Sequence, residues 1–115
     1  MVGYIYIINQ RGSHLYKVGR TKNTKRRIKQ LQTGNPKELV YKKFFSYKGK
    51  EHINNVEKHL HKWLDKNKIK SEWFYLKPYK FYEKRIEGFI TRLNAGSNIK
   101  ESSKELEQKG FCIII

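Results

Sequence analysis

The sequence predicts one small domain of the mixed α/β (α+β) class. Three observations lead to this fold class: the 115 residues suffice for one domain, short β-branched and aromatic runs alternate with amphipathic segments, and 14% of the residues are aromatic. The order of the predicted elements is β-β-α-β-α-β-α. Because so many apolar side chains can form a packed core, wholesale disorder is excluded.

The first two predicted strands form a hairpin. Val2–Asn9 is β-branched and aromatic throughout, which is typical of a strand covered on both faces. Gln10–Ser13 predicts the turn, and His14–Arg20 predicts the second strand. Alternation divides the side chains of this second strand between two faces, one with Leu15, Lys17 and Gly19 and the other with Tyr16, Val18 and Arg20.

A short basic helix and a third strand are predicted next. Lys22–Gln32 is rich in helix formers, with Asn23 or Thr24 as the N-cap, and the Gly-Asn-Pro sequence at 34–36 ends the helix. Leu39–Tyr47 then has the composition of a strand.

The second half of the chain predicts two longer helices around a short strand. Glu51–Asn67 is an amphipathic helix, Ser71–Leu76 is a strand, and a last helix begins at Pro78. Their apolar stripes consist of Ile53, Val56, Leu60, Trp63 and Leu64 in the first helix and Tyr82, Ile86, Phe89, Ile90 and Leu93 in the last. We therefore expect a domain over residues 1–94, and a polar linker or tail over 95–115 with an optional short helix capped by Gly110 and an apolar C-terminus.

The charge of the chain predicts a polyanionic partner. There are 26 Lys and Arg residues against 10 Asp and Glu, giving a formal net charge of +16, and the whole excess lies in residues 1–94 because 95–115 is balanced. Self-repulsion of this size disfavours a compact fold, and a nucleic acid offsets it. Charge does not distinguish DNA from RNA, and a solubilising surface or an anionic membrane are the alternatives.

The sequence also predicts an intracellular protein, in the cytoplasm or nucleoid, or in the nucleus of a eukaryotic or viral setting. No apolar run approaches the roughly 18 residues that cross a bilayer, and the N-terminus lacks a signal-peptide pattern. The single cysteine, Cys112, excludes a disulfide scaffold or zinc finger. Cys112 begins a formal prenylation box, CIII, which we interpret as a chance apolar tail. The alternative is a lipidated polycation on a membrane surface.

Glu57 is an unusual carboxylate. Helical spacing places it at the rim of the apolar stripe, with His61 one turn further on. A carboxylate facing a sheet is costly unless it is paired, so Glu57 either binds a Lys or Arg or holds a metal. Carboxylates are otherwise scarce, with Asp65 the only aspartate and no D-x-D motif, so two-metal nucleases are excluded.

Several ordered motifs together resemble the GIY-YIG nuclease superfamily. They are GYIYII at 3–8, YKVGRT at 16–21, KRRIKQL at 25–31, GNP at 34–36, VEKHLH at 56–61 and EWF at 72–74, the last two resembling a branch common in phages and large DNA viruses. The resemblance covers residues 2–93. It implies a central, mainly antiparallel three-stranded sheet flanked by helices, and hydrolysis of DNA with one Mg²⁺ or Mn²⁺ ion.

The resemblance also implies roles for individual residues. Tyr6 matches the tyrosine that orients or activates water, Arg27 matches the arginine that faces the scissile phosphate, and Glu57 matches the metal ligand. Lys17 stands where the second motif has tyrosine, because Tyr16 comes one residue early and faces the other side of the strand. We expect Lys17 to bind phosphate or to lower the pKa of Tyr6.

The remaining predicted site residues support this constellation. Tyr16 and His61 are candidates for indirect support of the site, Asn94 is a positional candidate for a late asparagine of the family, and Glu72 is expected to pair with a basic residue in a structural role. The residues predicted to bind the DNA backbone are Arg20, Lys22, Arg26, Lys29, Lys42, Lys43, Lys68 and Lys70.

The sequence therefore predicts a metal-dependent DNA endonuclease, which acts as a homodimer or with a targeting partner if it cuts both strands. The alternative is a DNA-binding module of the same fold that has lost catalysis, with Lys17 as the sign of that loss.

Overall fold

The α+β class is confirmed by a five-stranded antiparallel sheet with four α-helices, seen in a computed structural model that describes residues 3–107. The strands are β1 (Gly3–Gln10), β2 (Leu15–Thr21), β3 (Leu39–Tyr47), β4 (Lys68–Lys70) and β5 (Trp73–Tyr75). The helices are α1 (Thr24–Thr33), α2 (Ile53–Trp63), α3 (Tyr79–Asn94) and α4 (Ile99–Glu107).

The sheet has the strand order β3-β1-β2-β5-β4, which is two strands more than the three-stranded sheet that the resemblance implies and one more than the four strands predicted from the residues. The short hairpin β4–β5 extends the sheet: Trp73–Tyr75, which lies within the predicted strand Ser71–Leu76, pairs with Leu15–Lys17 of β2. β4 was missed because its three residues, Lys-Ile-Lys, are all exposed. Such a charged edge strand has no alternation of buried and exposed positions to identify it.

Both faces of the inner strand β1 are buried, as its sequence predicts. Helix α1 packs on one face, which we call the α1 face, and α2, α3 and α4 pack on the other. The core on the α1 face contains Tyr6, Ile8 and Leu39, with Ile28 and Leu31 of α1 packed against them. The larger core on the opposite face includes Ile5, Ile7, Tyr16 and Val18 of the sheet, Val56 and Leu60 of α2, Ile86, Phe89, Ile90 and Leu93 of α3, and Ile99 and Leu106 of α4.

Helix α1 begins as the sequence predicts. The side-chain oxygen of Asn23 accepts a hydrogen bond from the backbone N–H of Arg26 at 2.9 Å, and Gly34 caps the C-terminal end. No residue of α1 is fully buried, so the helix docks by one edge. Because α1 follows β2 directly, its first turn lies beside the end of that strand.

Helix α2 is shorter than the predicted Glu51–Asn67. It ends at Trp63 and is followed by a short 3₁₀ turn over Asp65–Asn67. The side-chain amide of Asn67 donates a hydrogen bond to the carbonyl of Tyr75 at 3.1 Å. This bond ties the chain to β5 and directs it into β4 instead of a further helical turn.

The segment after α3 carries the short helix that the sequence left optional. Helix α4 packs against α3 and α2, with Ile99 and Leu106 buried. The predicted cap Gly110 and the CIII motif at Cys112 lie outside the described residues. No helix within residues 3–107 is long and apolar enough to span a bilayer.

Candidate active site

A cleft of about 460 Å³ opens where the end of β2, the start of α1 and the side of α2 meet. We call it the basic cleft. It is lined by Arg20, Thr21, Lys22, Asn23, Arg26, Arg27, Gln30, Glu57 and Glu72. Four cations and two carboxylates from four separate parts of the chain therefore share one concave surface. Such a surface can bind an anion through its cations and a metal ion through its carboxylates.

Glu57 reaches the basic cleft from α2. Its side chain is 19% exposed, and its Oε1 lies 3.4 Å from Nε of Arg20. Glu57 therefore pairs with a basic residue, which is one of the two roles expected from the sequence. The separation is long for a charge-assisted hydrogen bond, and the Arg20 side chain is 43% exposed, so the pair is loose. The carboxylate remains within reach of a cation in the cleft.

Tyr6 lies beneath the cleft and contacts Arg27. Its side chain is completely buried, and its hydroxyl accepts a hydrogen bond from Nε of Arg27 at 3.3 Å. Burial raises the pKa of Tyr6 even though the Arg27 guanidinium acts in the opposite direction. The net shift is upward, opposite to the lowered pKa that was expected for Tyr6, so the phenol is protonated at neutral pH.

Gly19 makes room for the ring of Tyr6. The two residues are direct partners in the β1–β2 register, and a Cβ atom on Gly19 would overlap the Tyr6 ring and its hydroxyl. The glycine is therefore required by the close approach of a neighbouring side chain.

We expect Gly19→Ala to lower the free energy of unfolding by about 1–3 kcal/mol, because Tyr6 must shift to admit a methyl group into a packed core. Urea denaturation measures this change. Gly34→Ala is the matched control, since no atom from elsewhere in residues 3–107 lies within 4 Å of a Cβ there. Equal stability of the two variants would show that the Tyr6 ring is not constrained by Gly19.

Lys17 is buried and paired with Glu72. Its Nζ donates a hydrogen bond to Oε1 of Glu72 at 2.7 Å, its side chain is 9% exposed, and it lies 5.9 Å from the centre of the Trp73 ring. Lys17 does not line the basic cleft. The expectation that Lys17 binds phosphate is thus corrected, because its ammonium group is already neutralised inside the fold.

Glu72 pairs with a basic residue, as expected, but its position in the cleft was not predicted. It lies in the turn between β4 and β5 and lines the cleft. Burial opposes its ionisation, but the hydrogen bond and charge of Lys17, with the charges of His61 and Arg27, outweigh burial and hold its pKa below the ordinary value. The available signal was Lys17 itself, a lysine on a buried strand face in a chain with few acids.

We expect Glu72→Ala to lower the free energy of unfolding at neutral pH by about 1–3 kcal/mol, because the buried ammonium of Lys17 loses its partner. The folded-state pKa of Glu72 is below its ordinary value of 4.5, so the contribution is complete above that pH and disappears as the pH falls through the folded-state value. Urea titrations at neutral and acidic pH measure the difference in the free energy of unfolding between the wild type and Glu72→Ala. The control is the double variant that carries both Lys17→Met and Glu72→Ala and therefore lacks the ion pair. A difference independent of pH would contradict this account.

The other predicted DNA-binding residues lie in three places. Arg20, Lys22 and Arg26 line the basic cleft, whereas Lys29 is exposed elsewhere on α1. The pairs Lys42–Lys43 and Lys68–Lys70 lie on β3 and β4, the two opposite edges of the sheet. These lysines therefore flank the sheet and do not line the cleft.

Two of the supporting candidates are structural. Tyr16 stacks on Tyr79 in the core with a centroid distance of 4.6 Å, on the face of the sheet opposite α1. The side-chain amide of Asn94 donates to the Ser46 carbonyl, and its oxygen accepts from the Lys48 backbone N–H, which fixes the end of β3. Neither Tyr16 nor Asn94 lines the cleft.

His61 lies close to the site without lining the cleft. Its Nε2 is 2.6 Å from the carbonyl oxygen of Val18, and its ring lies against Phe74. The contact is made with the backbone of β2, so His61 fixes α2 against the strand that carries Lys17 and Arg20.

The donor set of the basic cleft fits a magnesium-like ion. Within residues 3–107 no three His, Cys, Asp or Glu side chains are grouped to form a complete protein cage. Mg²⁺ is commonly held by one or two carboxylates together with water and substrate phosphate oxygens. Glu57 with Glu72 nearby meets this requirement.

A larger cavity of about 850 Å³ lies among α2, α3 and α4 and contains none of the predicted catalytic residues.

The family of the chain follows from comparison with known proteins. Residues 3–94 match the family described as the T5orf172 domain, a span that includes every residue lining the basic cleft. No curated protein and no solved structure matches the chain.

Proposed function

The chain belongs to the T5orf172 domain family, and from this premise we propose that it is a DNA endonuclease that hydrolyses phosphodiester bonds with one divalent metal ion, Mg²⁺ or Mn²⁺. The observation that carries the proposal is the basic cleft, where Arg27 and Glu57 meet although they come from distant segments of the chain. The resemblance to GIY-YIG nucleases names the same two residues, with Tyr6 directly behind Arg27.

Glu57 would hold the metal in the basic cleft, with Glu72 as the second nearby carboxylate. A bound divalent ion supplies polarisation of the phosphate and a lower pKa for an attacking water. Glu57 would release Arg20 when it binds the metal, because the contact between Glu57 and Arg20 is long and partly exposed to solvent.

Arg27 stabilises the negative charge that develops on the phosphate. Its Nε is engaged by Tyr6, which leaves the two Nη groups for phosphate oxygens. In this geometry Tyr6 is a positioning residue: it is buried, protonated and holds the guanidinium from behind. The expected contact of Tyr6 with water requires a movement of Arg27.

The remaining cations of the cleft bind the DNA backbone. Arg20, Lys22 and Arg26 line the cleft around the site of the scissile phosphate. Contacts of this kind give affinity without sequence choice and release counterions, so binding is weakly specific and falls steeply with salt.

The test is nicking of supercoiled plasmid by the full chain with Mg²⁺, Mn²⁺ or EDTA, together with a gel shift at two salt concentrations. We expect nicking that requires the metal and binding that weakens with salt. Nicking that continues in EDTA would contradict the metal-dependent mechanism.

A second candidate function is a DNA-binding module of the same fold without catalysis. Two observations favour it. Arg20 forms an ion pair with the Glu57 carboxylate, and Lys17, which stands in place of a motif tyrosine, forms an ion pair with Glu72. Tight, salt-sensitive binding without nicking under any metal would establish this alternative.

A further inference from the structure

Three aromatic side chains form a cluster on the part of the α1 face that α1 leaves uncovered. Phe44 of β3 is in edge contact with Tyr4 of β1 and Tyr41 of β3, at centroid distances of 5.8 and 5.4 Å. We call Tyr4, Tyr41 and Phe44 the aromatic patch. Phe44 is 47% exposed, which makes it one of three exposed large apolar side chains within residues 3–107.

The aromatic patch adjoins the basic cleft. Tyr4 is the register partner of Thr21, which lines the cleft. The hydroxyl of Tyr41 donates a hydrogen bond to the carbonyl of Thr24, the first residue of α1, at 2.5 Å. The ring of Tyr41 also lies 6.1 Å from that of Tyr6. The patch and the cleft are therefore neighbouring parts of one surface.

The rings of the patch are held in place. Tyr4 and Tyr41 contact Phe44 from two directions, and Tyr41 is fixed by its hydrogen bond to α1. A rigid exposed ring can bind a flat partner at little cost in conformational entropy. Burial raises the pKa of Tyr41 to about 12, so the hydroxyl keeps its proton and its hydrogen bond at neutral pH.

Charge complementarity indicates what covers Phe44. The adjoining cleft presents Arg20, Lys22 and Arg26, which attract a polyanion, whereas a second copy of a chain with a net charge of +16 is repelled. A nucleic-acid strand carries phosphates and flat bases at neighbouring positions. An exposed aromatic ring beside a phosphate-binding cleft is the arrangement by which proteins stack unpaired bases.

We propose that Phe44 stacks an unpaired nucleobase next to the phosphate bound in the basic cleft, so that the preferred substrate is single-stranded or locally unpaired DNA. This inference rests on the proposed function, because it assigns the substrate class of the same cleft. In a duplex the bases are stacked on one another, and their faces do not reach Phe44 without unpairing.

The test uses a single-stranded oligonucleotide with 2-aminopurine, and the matching duplex, titrated in EDTA with the full chain. Phe44→Ala is expected to bind the single strand about 5- to 100-fold more weakly, with loss of the fluorescence quenching caused by stacking. The salt dependence should be unchanged, since no charge is removed. Phe44→Trp should retain binding. Ile69→Ala, which truncates a 62% exposed side chain on the far edge strand, should bind as the wild type does.

Three outcomes would overturn the stacking proposal: unchanged single-strand binding by Phe44→Ala, an equal loss of affinity for single strand and duplex, or wild-type self-association in sedimentation that Phe44→Ala abolishes. The measurement is made without metal, so a failure of hydrolysis does not affect it. A wild-type chain that binds neither oligonucleotide would instead contradict the proposed function.

Discussion

Replacing Glu57 by glutamine should reduce plasmid nicking in Mg²⁺ by at least about 100-fold, because metal polarisation contributes several kcal/mol to phosphoryl chemistry. Glutamine keeps the shape of the side chain but removes the charge that holds the cation. The Arg20 guanidinium, which contacts this carboxylate at 3.4 Å, also becomes free for phosphate. The initial rate of nicking measures the effect.

The matched control for this substitution is Glu87→Gln. Glu87 is exposed on α3 and does not line the basic cleft, and the substitution changes the net charge by the same amount. We expect its nicking rate to equal that of the wild type. Equal losses in both variants would mean that overall charge, and not a metal ligand, is responsible.

Replacing Arg27 by glutamine should reduce the maximal nicking rate by about 10²–10³-fold, the usual effect of removing one preorganised donor to a developing charge. Arg27→Lys should not restore the rate, because an ammonium group cannot contact Tyr6 and two phosphate oxygens in one plane. Single-turnover nicking measures both variants.

The neighbouring arginine provides the control for Arg27. Arg26 is exposed at the rim of the same cleft, and Arg26→Gln should weaken DNA binding and reduce the salt slope by about 1 while leaving the maximal rate nearly unchanged. If the two variants lose the same amount of maximal rate, Arg27 has no special position at the phosphate.

The elements with strong local signals could be predicted from the sequence. The bounds of β3 are those predicted, and Asn23 caps α1. The pattern of β1 indicates burial on both faces because the consecutive residues 4–8, which point alternately to the two faces, are all aromatic or aliphatic. Strand β4 could not be predicted, since three exposed residues at a sheet edge carry no periodicity.

Some of the residues that line the basic cleft could be predicted from the sequence, but their contacts could not. The motif pattern named Arg27 and Glu57, which line one cleft in the structure. It did not reveal that Lys17 points into the fold and binds Glu72, because Glu72 comes from a hairpin 55 positions away. Pairing over that separation depends on the sheet order, which local sequence does not determine.

The most direct test is single-turnover nicking with excess protein, titrated for the wild type and Glu57→Gln in Mg²⁺. One titration gives the maximal rate and the protein concentration at half-maximal rate, which reports DNA affinity. We predict that the substitution reduces the maximal rate by at least about 100-fold and leaves the half-maximal concentration within about threefold. An unchanged maximal rate with a raised half-maximal concentration would contradict the assignment of Glu57 to the metal and make it a DNA-binding residue.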